Sequence, residues 1–155
     1  MRPGRRLALD IGKARVGVAV SDTAGILASP REAIARASDA DEYLKSILDI
    51  AAELEVIEIY VGNPLSLSGE ITPSTQDATE AARKLAEIID IPVLLIDERL
   101  TTVSAAAKLR QSGLNAKQAK SLIDSASAVE ILEAALRFER NQGTAPGQAI
   151  GENGP

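Results

Sequence analysis

Cysteine, histidine and tryptophan are all missing from this chain of 155 residues. Without cysteine the chain has no disulfide framework, no thiolate nucleophile and no cysteine-bound zinc. Without histidine it has no Ser-His-Asp triad, no imidazole acid or base and no histidine-bound metal. If the protein is an enzyme, then carboxylates, lysine, arginine, hydroxyl groups or a hard metal ion must carry the chemistry.

Long apolar runs are also missing. None approaches the ~20 residues that a membrane-spanning helix requires. The chain begins with the basic segment Met1 to Arg6, but Asp10, Lys13 and Arg15 interrupt the apolar stretch after it, which is not the pattern of a signal peptide. We therefore expect a cytoplasmic protein with no membrane association.

Aromatic residues are scarce, since the chain has two Tyr and one Phe. The apolar fraction of 45% and the charged fraction of 25% are nonetheless ordinary for one globular domain. The net charge is −5, but residues 1–36 carry a net charge of +4, and residues 99–120 carry five basic side chains and no acidic one. Such basic segments can bind a polyanion locally. With so few aromatic residues, we do not expect recognition by base stacking.

Hydrophobic periodicity predicts an α/β domain. Residues 6–10 and 16–20 are predicted to be antiparallel strands, and Pro30 restricts a third strand between residues 26 and 34 to a sheet edge or an end. Two further strands alternate with helices, and the second, residues 92–96, has the continuous apolar pattern of a strand covered on both faces. The order βββαβαβ followed by helices predicts a mixed five-stranded sheet with helices on both faces.

The ends of the helices and of the domain follow from local composition. We assign the domain to residues 1–141 and predict that the Gly- and Pro-rich residues 142–155 are disordered, because they bury too little apolar surface. The pattern Ser74-x-x-Asp77 predicts that Ser74 caps the second helix. Between about residues 121 and 127 the apolar stripe changes faces, so either two helices meet there or one helix changes its packing partner.

Three carboxylates lie where predicted elements end or begin. Asp10 ends the first strand, Glu98 follows the apolar run, and Asp124 opens the last helix on its core-facing stripe. Each alone also fits an ordinary role in a turn, a solvated corner or a helix cap. Together they suit a pair of Mg²⁺ or Mn²⁺ ions, which would activate water and stabilise the leaving oxygen of a phosphodiester. Asp97 is the alternative to Glu98, because adjacent strand residues point to opposite faces.

Basic and hydroxyl residues flank these carboxylates and are the predicted nucleic-acid contacts. They are Lys13, Arg15, Arg99, Thr101, Thr102, Lys117 and Lys120. Lysine and arginine neutralise phosphates, and a helix that starts at Thr101 or Thr102 offers N–H donors to an anion. The sequence thus predicts a nucleic-acid-binding surface around an acidic site.

Four segments of the chain form a set of motifs that resembles a known family. They are Leu9–Asp22, Gly62-Asn-Pro64, Asp97–Thr102 and Ile123–Leu132. The set resembles the bacterial pre-16S rRNA nuclease family, also described as Holliday junction resolvases, over roughly residues 6–138. The resemblance implies a ribonuclease H-like fold and a cytoplasmic, metal-dependent nuclease that matures ribosomal RNA. It also implies that Asp10, Glu98 and Asp124 are the family's acidic positions.

One residue departs from the family pattern. Asn63 stands between Gly62 and Pro64, where an apolar or aromatic residue is usual. The departure concerns the substrate loop more than the chemistry of the acidic residues.

Three interpretations follow for the function. We expect a nuclease with Mg²⁺ or Mn²⁺ that cleaves structured nucleic acid, either at the 5′ end of precursor 16S rRNA or in branched DNA, and we leave a homodimer open. An actin-like phosphotransferase or ATPase shares the Asp-x-Gly element and the topology, but it needs a second domain for which this length leaves no room. A non-catalytic, nucleic-acid-binding ribosome-assembly module is the third interpretation.

Overall fold

The computed structural model describes residues 1–36, 41–64, 68–100 and 124–150. The strands are β1 Arg6–Ile11, β2 Arg15–Ser21, β3 Ala28–Ala35, β4 Glu58–Asn63, β5 Val93–Asp97 and β6 Gln148–Ala149. The helices are α1 Glu42–Leu54, α2 Pro73–Ile88 and α3 Ala126–Gln142, and a 3₁₀ turn spans Glu98–Leu100. Within these ranges, no helix has the length and apolar character needed to cross a membrane.

The strands form one mixed sheet in the order β3-β2-β1-β4-β5-β6. The central pairs β1–β4 and β4–β5 are parallel, and the pairs β1–β2, β2–β3 and β5–β6 are antiparallel. β3 is an edge strand, as Pro30 predicted. The parallel strands β1, β4 and β5 therefore have their carboxyl ends side by side. This carboxyl end of the sheet carries Asp10, Asn63 and Asp97.

The sixth strand lies in the tail for which the sequence predicted disorder. Residues 148 and 149 pair with β5, and the Ile150 N–H donates to the Val93 carbonyl oxygen at 3.0 Å. The prediction of disorder is therefore wrong for Gln142, which ends α3, and for residues 148–150, and within the described residues the sheet has one strand more than expected. Apolar surface was the wrong measure, because the open edge of β5 offers backbone hydrogen bonds to a short returning strand. Residues 151–155 lie outside the described ranges.

Helices cover both faces of the sheet, as predicted. On one face, Leu9 and the other odd-numbered residues of β1 pack with α1 and α2. On the other face, Ala8 and Tyr60 pack with α3. Because side chains alternate along a strand, Asp10 belongs to the α3 face and Asp97 to the α2 face.

The second helix begins earlier than predicted. The Thr72 hydroxyl accepts a hydrogen bond from the Thr75 N–H at 3.2 Å, and the Thr75 hydroxyl accepts one from the Thr72 N–H at 3.1 Å. Pro73 is the first helical residue, where its missing N–H costs nothing. Thr72 is therefore the cap, and the prediction of Ser74 as the cap is wrong.

Candidate functional site

Asp10 lies near the carboxyl end of β1 on the α3 face, half-buried and directly opposite Gly17 of β2. Burial raises the pKa of the Asp10 carboxyl, and hydrogen bonding by Ser127 of α3 acts in the opposite direction. The first predicted site residue is therefore a half-buried carboxylate that faces the start of α3.

Glu98 follows β5 in the 3₁₀ turn, and its side chain packs against the backbone of Gly62 in β4. A Cβ atom built on Gly62 would lie 3.0 Å from Cδ of Glu98 and 2.5 Å from Cδ1 of Ile131. Glycine at this position thus leaves the room in which the Glu98 side chain lies beneath α3. Burial, followed by the negative charges of Asp10 and Asp97, raises the pKa of Glu98 to about 7. The carboxylates of Asp10 in β1 and Glu98 after β5 therefore interact at this end of the sheet.

Asp97, the alternative to Glu98, binds the basic residue two positions later. Its Oδ2 accepts a hydrogen bond from Nη2 of Arg99 at 2.6 Å, and its Oδ1 accepts one from the Arg99 backbone N–H at 2.9 Å. The side-chain hydrogen bond from Arg99 is the main cause that lowers the pKa of Asp97. The structure therefore favours Glu98 as the carboxylate that joins Asp10, and it places Arg99 against Asp97.

Asp124 lies in the turn before α3, whose N-cap is Ser125, and not in the first turn of that helix as predicted. Its Oδ2 accepts a hydrogen bond from Nη1 of Arg15 at 3.0 Å, and the two side chains are 29% and 47% exposed. Within the described ranges, no group of three or more Asp, Glu, His or Cys residues could hold a metal ion. The structure thus brings Asp10 and Glu98 together and pairs Asp124 with Arg15.

The predicted nucleic-acid contacts are described only in part. Lys13, in the turn between β1 and β2, and Arg15, the first residue of β2, are exposed at the same end of the sheet as Asp10. Thr101, Thr102, Lys117 and Lys120 lie outside the described ranges. Of the predicted basic contacts, the structure therefore describes Lys13, Arg15 and Arg99.

Sequence reasoning missed a residue that holds the β1–β2 turn. Nη1 of Arg36 donates to the Gly12 carbonyl oxygen at 2.8 Å and to Oδ2 of Asp77 at 2.7 Å. The same guanidinium lies over the Tyr43 ring, 4.8 Å from its centroid. Arg36 thus ties the turn that carries Lys13 to both α1 and α2. No local pattern identifies this role, because its partners are distant in sequence.

Comparison with known proteins gives a consistent result. Residues 4–138 match the family described as "RuvX: Holliday junction resolvase". A Clavibacter sepedonicus protein named "Putative pre-16S rRNA nuclease" is 47% identical over 153 residues, which cover 99% of this chain and 95% of that protein. A Streptomyces avermitilis protein of the same name is 44% identical over 151 residues, or 97% of this chain and 96% of that protein.

A solved structure supports the fold assignment. Thermus thermophilus RuvC in complex with a Holliday junction substrate has a TM-score of 0.59 and 18% identity to this chain. The match covers 95% of this chain and 99% of RuvC. At this identity the likeness shows the fold alone, and it confirms the predicted ribonuclease H-like class. The family match over residues 4–138 includes Asp10 in β1 and the Asp97–Leu100 segment. Because this match covers most of the sequence, the chain belongs to the RuvX family.

Proposed function

We propose that this protein is a nuclease that hydrolyses phosphodiester bonds in structured nucleic acid at the carboxyl end of its sheet. The carboxylate pair of Asp10 and Glu98 carries the proposal, because these half-buried side chains, from β1 and from the turn after β5, are close enough for the charge of Asp10 to raise the pKa of Glu98. Membership of a family whose relatives bear nuclease names supports the same reaction class.

The donor set fits a hard divalent cation. Burial raises the pKa of both carboxyls, and the neighbouring negative charges raise that of Glu98 further. A cation reverses such repulsion and favours the ionised forms. Asp10 and Glu98 would hold Mg²⁺ or Mn²⁺, and the two-ion arrangement expected from the sequence would require Asp124 to exchange Arg15 for metal. A bound ion would stabilise the developing phosphoryl charge and lower the pKa of the attacking water.

The remaining side chains would bind and orient the substrate. Lys13 and Arg15 lie exposed on the turn beside Asp10, where they would neutralise backbone phosphates without reading bases. Ser127 favours the ionised form of Asp10 through its hydrogen bond. Lys117, Lys120, Thr101 and Thr102 stay predicted contacts of the same surface.

The substrate we propose is the 5′ end of precursor 16S rRNA. Relatives with 42–47% identity over nearly the whole chain carry pre-16S rRNA in their names, and the 5′ end is our own more specific proposal. Branched DNA is the second candidate, and the description of the matched family favours it.

A direct cleavage assay distinguishes these candidates. The purified protein would be offered a precursor 16S rRNA fragment and a four-way DNA junction with Mg²⁺ or Mn²⁺, with the Asp10→Asn variant as the control. Metal-dependent cleavage of the RNA alone supports the first candidate, and cleavage of the junction alone supports the second. Binding of either substrate without cleavage by the wild type would reject the nuclease and leave a non-catalytic assembly module.

A further inference from the structure

A buried hydroxyl group at the start of α3 lies where the sheet is irregular. The pairing of β2 with β3 shifts register between Val16 and Val18. Ser125, which is fully buried, accepts a hydrogen bond from the Val18 N–H at 2.9 Å and donates one to the Arg31 carbonyl oxygen at 2.6 Å. One side chain thus bridges the two strands at the register shift, where it satisfies a backbone donor and a backbone acceptor.

Gly17 lies at the same register shift between β2 and β3. The segment that precedes α3 packs directly against it. A Cβ atom built on Gly17 would overlap the Asp124 carbonyl oxygen and lie 3.1 Å from the Cα atom of Ser125. Only glycine lets this segment approach β2 so closely. Gly17 is also the residue opposite Asp10 in the β1–β2 pairing. The contact therefore fixes the Asp124 backbone one strand away from Asp10.

We propose that Ser125 is a positioning residue, whose hydroxyl sets the place of Asp124 relative to Asp10 in the phosphodiesterase reaction. This assignment rests on the proposed function, because it gives Asp124 a part in that site. The Arg15–Asp124 ion pair holds Asp124 only weakly, since the two side chains are 47% and 29% exposed and ion pairs that reach solvent contribute little. A buried hydroxyl with two backbone partners has a defined geometry and leaves both partners unsatisfied if it is removed.

The chain offers a matched control for this role. Ser21 is 2% exposed, and its hydroxyl accepts a hydrogen bond from the Arg6 N–H and donates one to the Asp22 carbonyl oxygen, both at 2.9 Å. It lies at the other end of β2, away from Asp124. Ser125→Ala and Ser21→Ala each remove a buried hydroxyl with two backbone bonds, so we expect similar losses of stability. A difference between the two variants in Mn²⁺ affinity or kcat would then reflect where the lost hydroxyl lies and not a general loss of stability.

The test measures Mn²⁺ affinity by calorimetry, together with kcat and KM on whichever substrate the wild type cleaves. We expect Ser125→Ala to lower Mn²⁺ affinity and kcat by roughly 10–100-fold, as other residues that orient metal ligands do, with little change in KM. Ser21→Ala should leave all three unchanged. Ser125→Cys keeps the shape of the side chain and a weak donor on a larger sulfur atom, and should give an intermediate loss in a folded protein even if the alanine variant unfolds.

A double-mutant cycle separates action through Asp124 from any other effect. In the Asp124→Asn background, Ser125→Ala should reduce Mn²⁺ affinity and kcat no further. Wild-type values in Ser125→Ala and Ser125→Cys, or losses that simply add to those of Asp124→Asn, would overturn the positioning role and leave the nuclease proposal intact. A wild type that neither binds Mn²⁺ nor cleaves nucleic acid would overturn the proposed function and this role with it.

Discussion

Both ends of the sheet hold carboxylates, buried at the amino end and half-buried at the carboxyl end, and the charges around them differ. At the amino end, Glu58 and Glu139 are each 3% exposed and both bind Arg2. Fully buried Arg6 donates from Nη2 to Oε2 of Glu139 at 2.8 Å. Tyr60 donates its hydroxyl to Glu58 at 2.9 Å. This end is an arginine–carboxylate cluster that ties the start of the chain and of β4 to the end of α3.

At the carboxyl end, the charges that shift the pKa of Glu98 are negative instead. Burial and the charges of Asp10 and Asp97 raise the pKa of Glu98 to about 7. Burial also favours the neutral form of Glu139, but hydrogen bonds from Arg2 and the charge of Arg6 outweigh it and lower that pKa to about 2. A buried carboxylate therefore marks a candidate site when its neighbours add to its charge, and a structural contact when they neutralise it.

The largest effect that tests this contrast is expected from Asp10→Asn. Cleavage should fall by at least about 1,000-fold, because the loss of an anion that holds a catalytic cation removes several kcal/mol of transition-state stabilisation. The metal-free variant should melt at the wild-type temperature or above, since the raised pKa shows that the ionised form is disfavoured in the fold. A large drop in the melting temperature would make Asp10 structural, and cleavage at the wild-type rate would remove it from the site.

The reverse pattern is expected from Glu139→Gln at the amino end. The variant leaves the buried Arg6 guanidinium without its carboxylate, so the free energy of unfolding should fall by about 3–5 kcal/mol. Urea unfolding measures this loss. The matched control is Glu80→Gln, which breaks an exposed pair with Arg83 and should cost at most about 1 kcal/mol.

Activity gives the second readout for Glu139→Gln. Below its unfolding transition, the variant should cleave at the wild-type rate per folded molecule. A specific loss of activity in the fully folded variant would show that the two ends are coupled and would break the contrast between them.

Local patterns in the sequence were enough to predict the strands that carry the site. Alternation located β1 and β2, and the apolar run located β5, because burial on one or both faces imposes those patterns directly. The carboxylate at the end of β1 followed from the same signal. The alternation rule also stated that only one of Asp97 and Glu98 could face the site. The sequence left both open, and the 3₁₀ turn and the Arg99–Asp97 hydrogen bond are what favour Glu98.

Features that depend on distant partners could not be predicted. β6 exists through backbone bonds to β5, and the amino-end cluster joins Arg2 to Glu139 across almost the whole chain. The pairing of Asp124 with Arg15 depends on how the turn before α3 packs on Gly17. Composition and periodicity cannot predict such contacts, because each contact forms only once distant segments have folded together.

The pH dependence of stability should have opposite signs at the two ends. For Glu98, the folded state keeps a proton that the unfolded state loses between the ordinary value of 4.5 and about 7. The free energy of unfolding of the metal-free protein should therefore fall across this window, by at most about 3 kcal/mol. For Glu139, stability present above pH 4.5 should be lost as the pH falls towards about 2.

Urea unfolding of three proteins at a series of pH values checks both signs. Glu98→Gln should remove the contribution between pH 4.5 and 7, and Glu139→Gln should remove the contribution between pH 4.5 and 2. Wild-type slopes in both variants would contradict the assignment of these shifts to the two residues.

The smallest effect is expected at Arg15, which pairs with Asp124 at the carboxyl end of the sheet. Its pair with Asp124 is half exposed and worth at most about 1 kcal/mol, so Arg15→Gln should raise Mn²⁺ affinity by no more than about 5-fold. Loss of a phosphate contact should meanwhile weaken nucleic-acid binding and reduce its salt slope by roughly 0.7–0.9. Lys13→Gln is the control, since it removes a charge from the same turn and should change the salt slope alone. If Arg15→Gln instead lowers Mn²⁺ affinity, then Arg15 holds Asp124 in place for the metal and does not compete with it, because loss of a competitor can only strengthen binding.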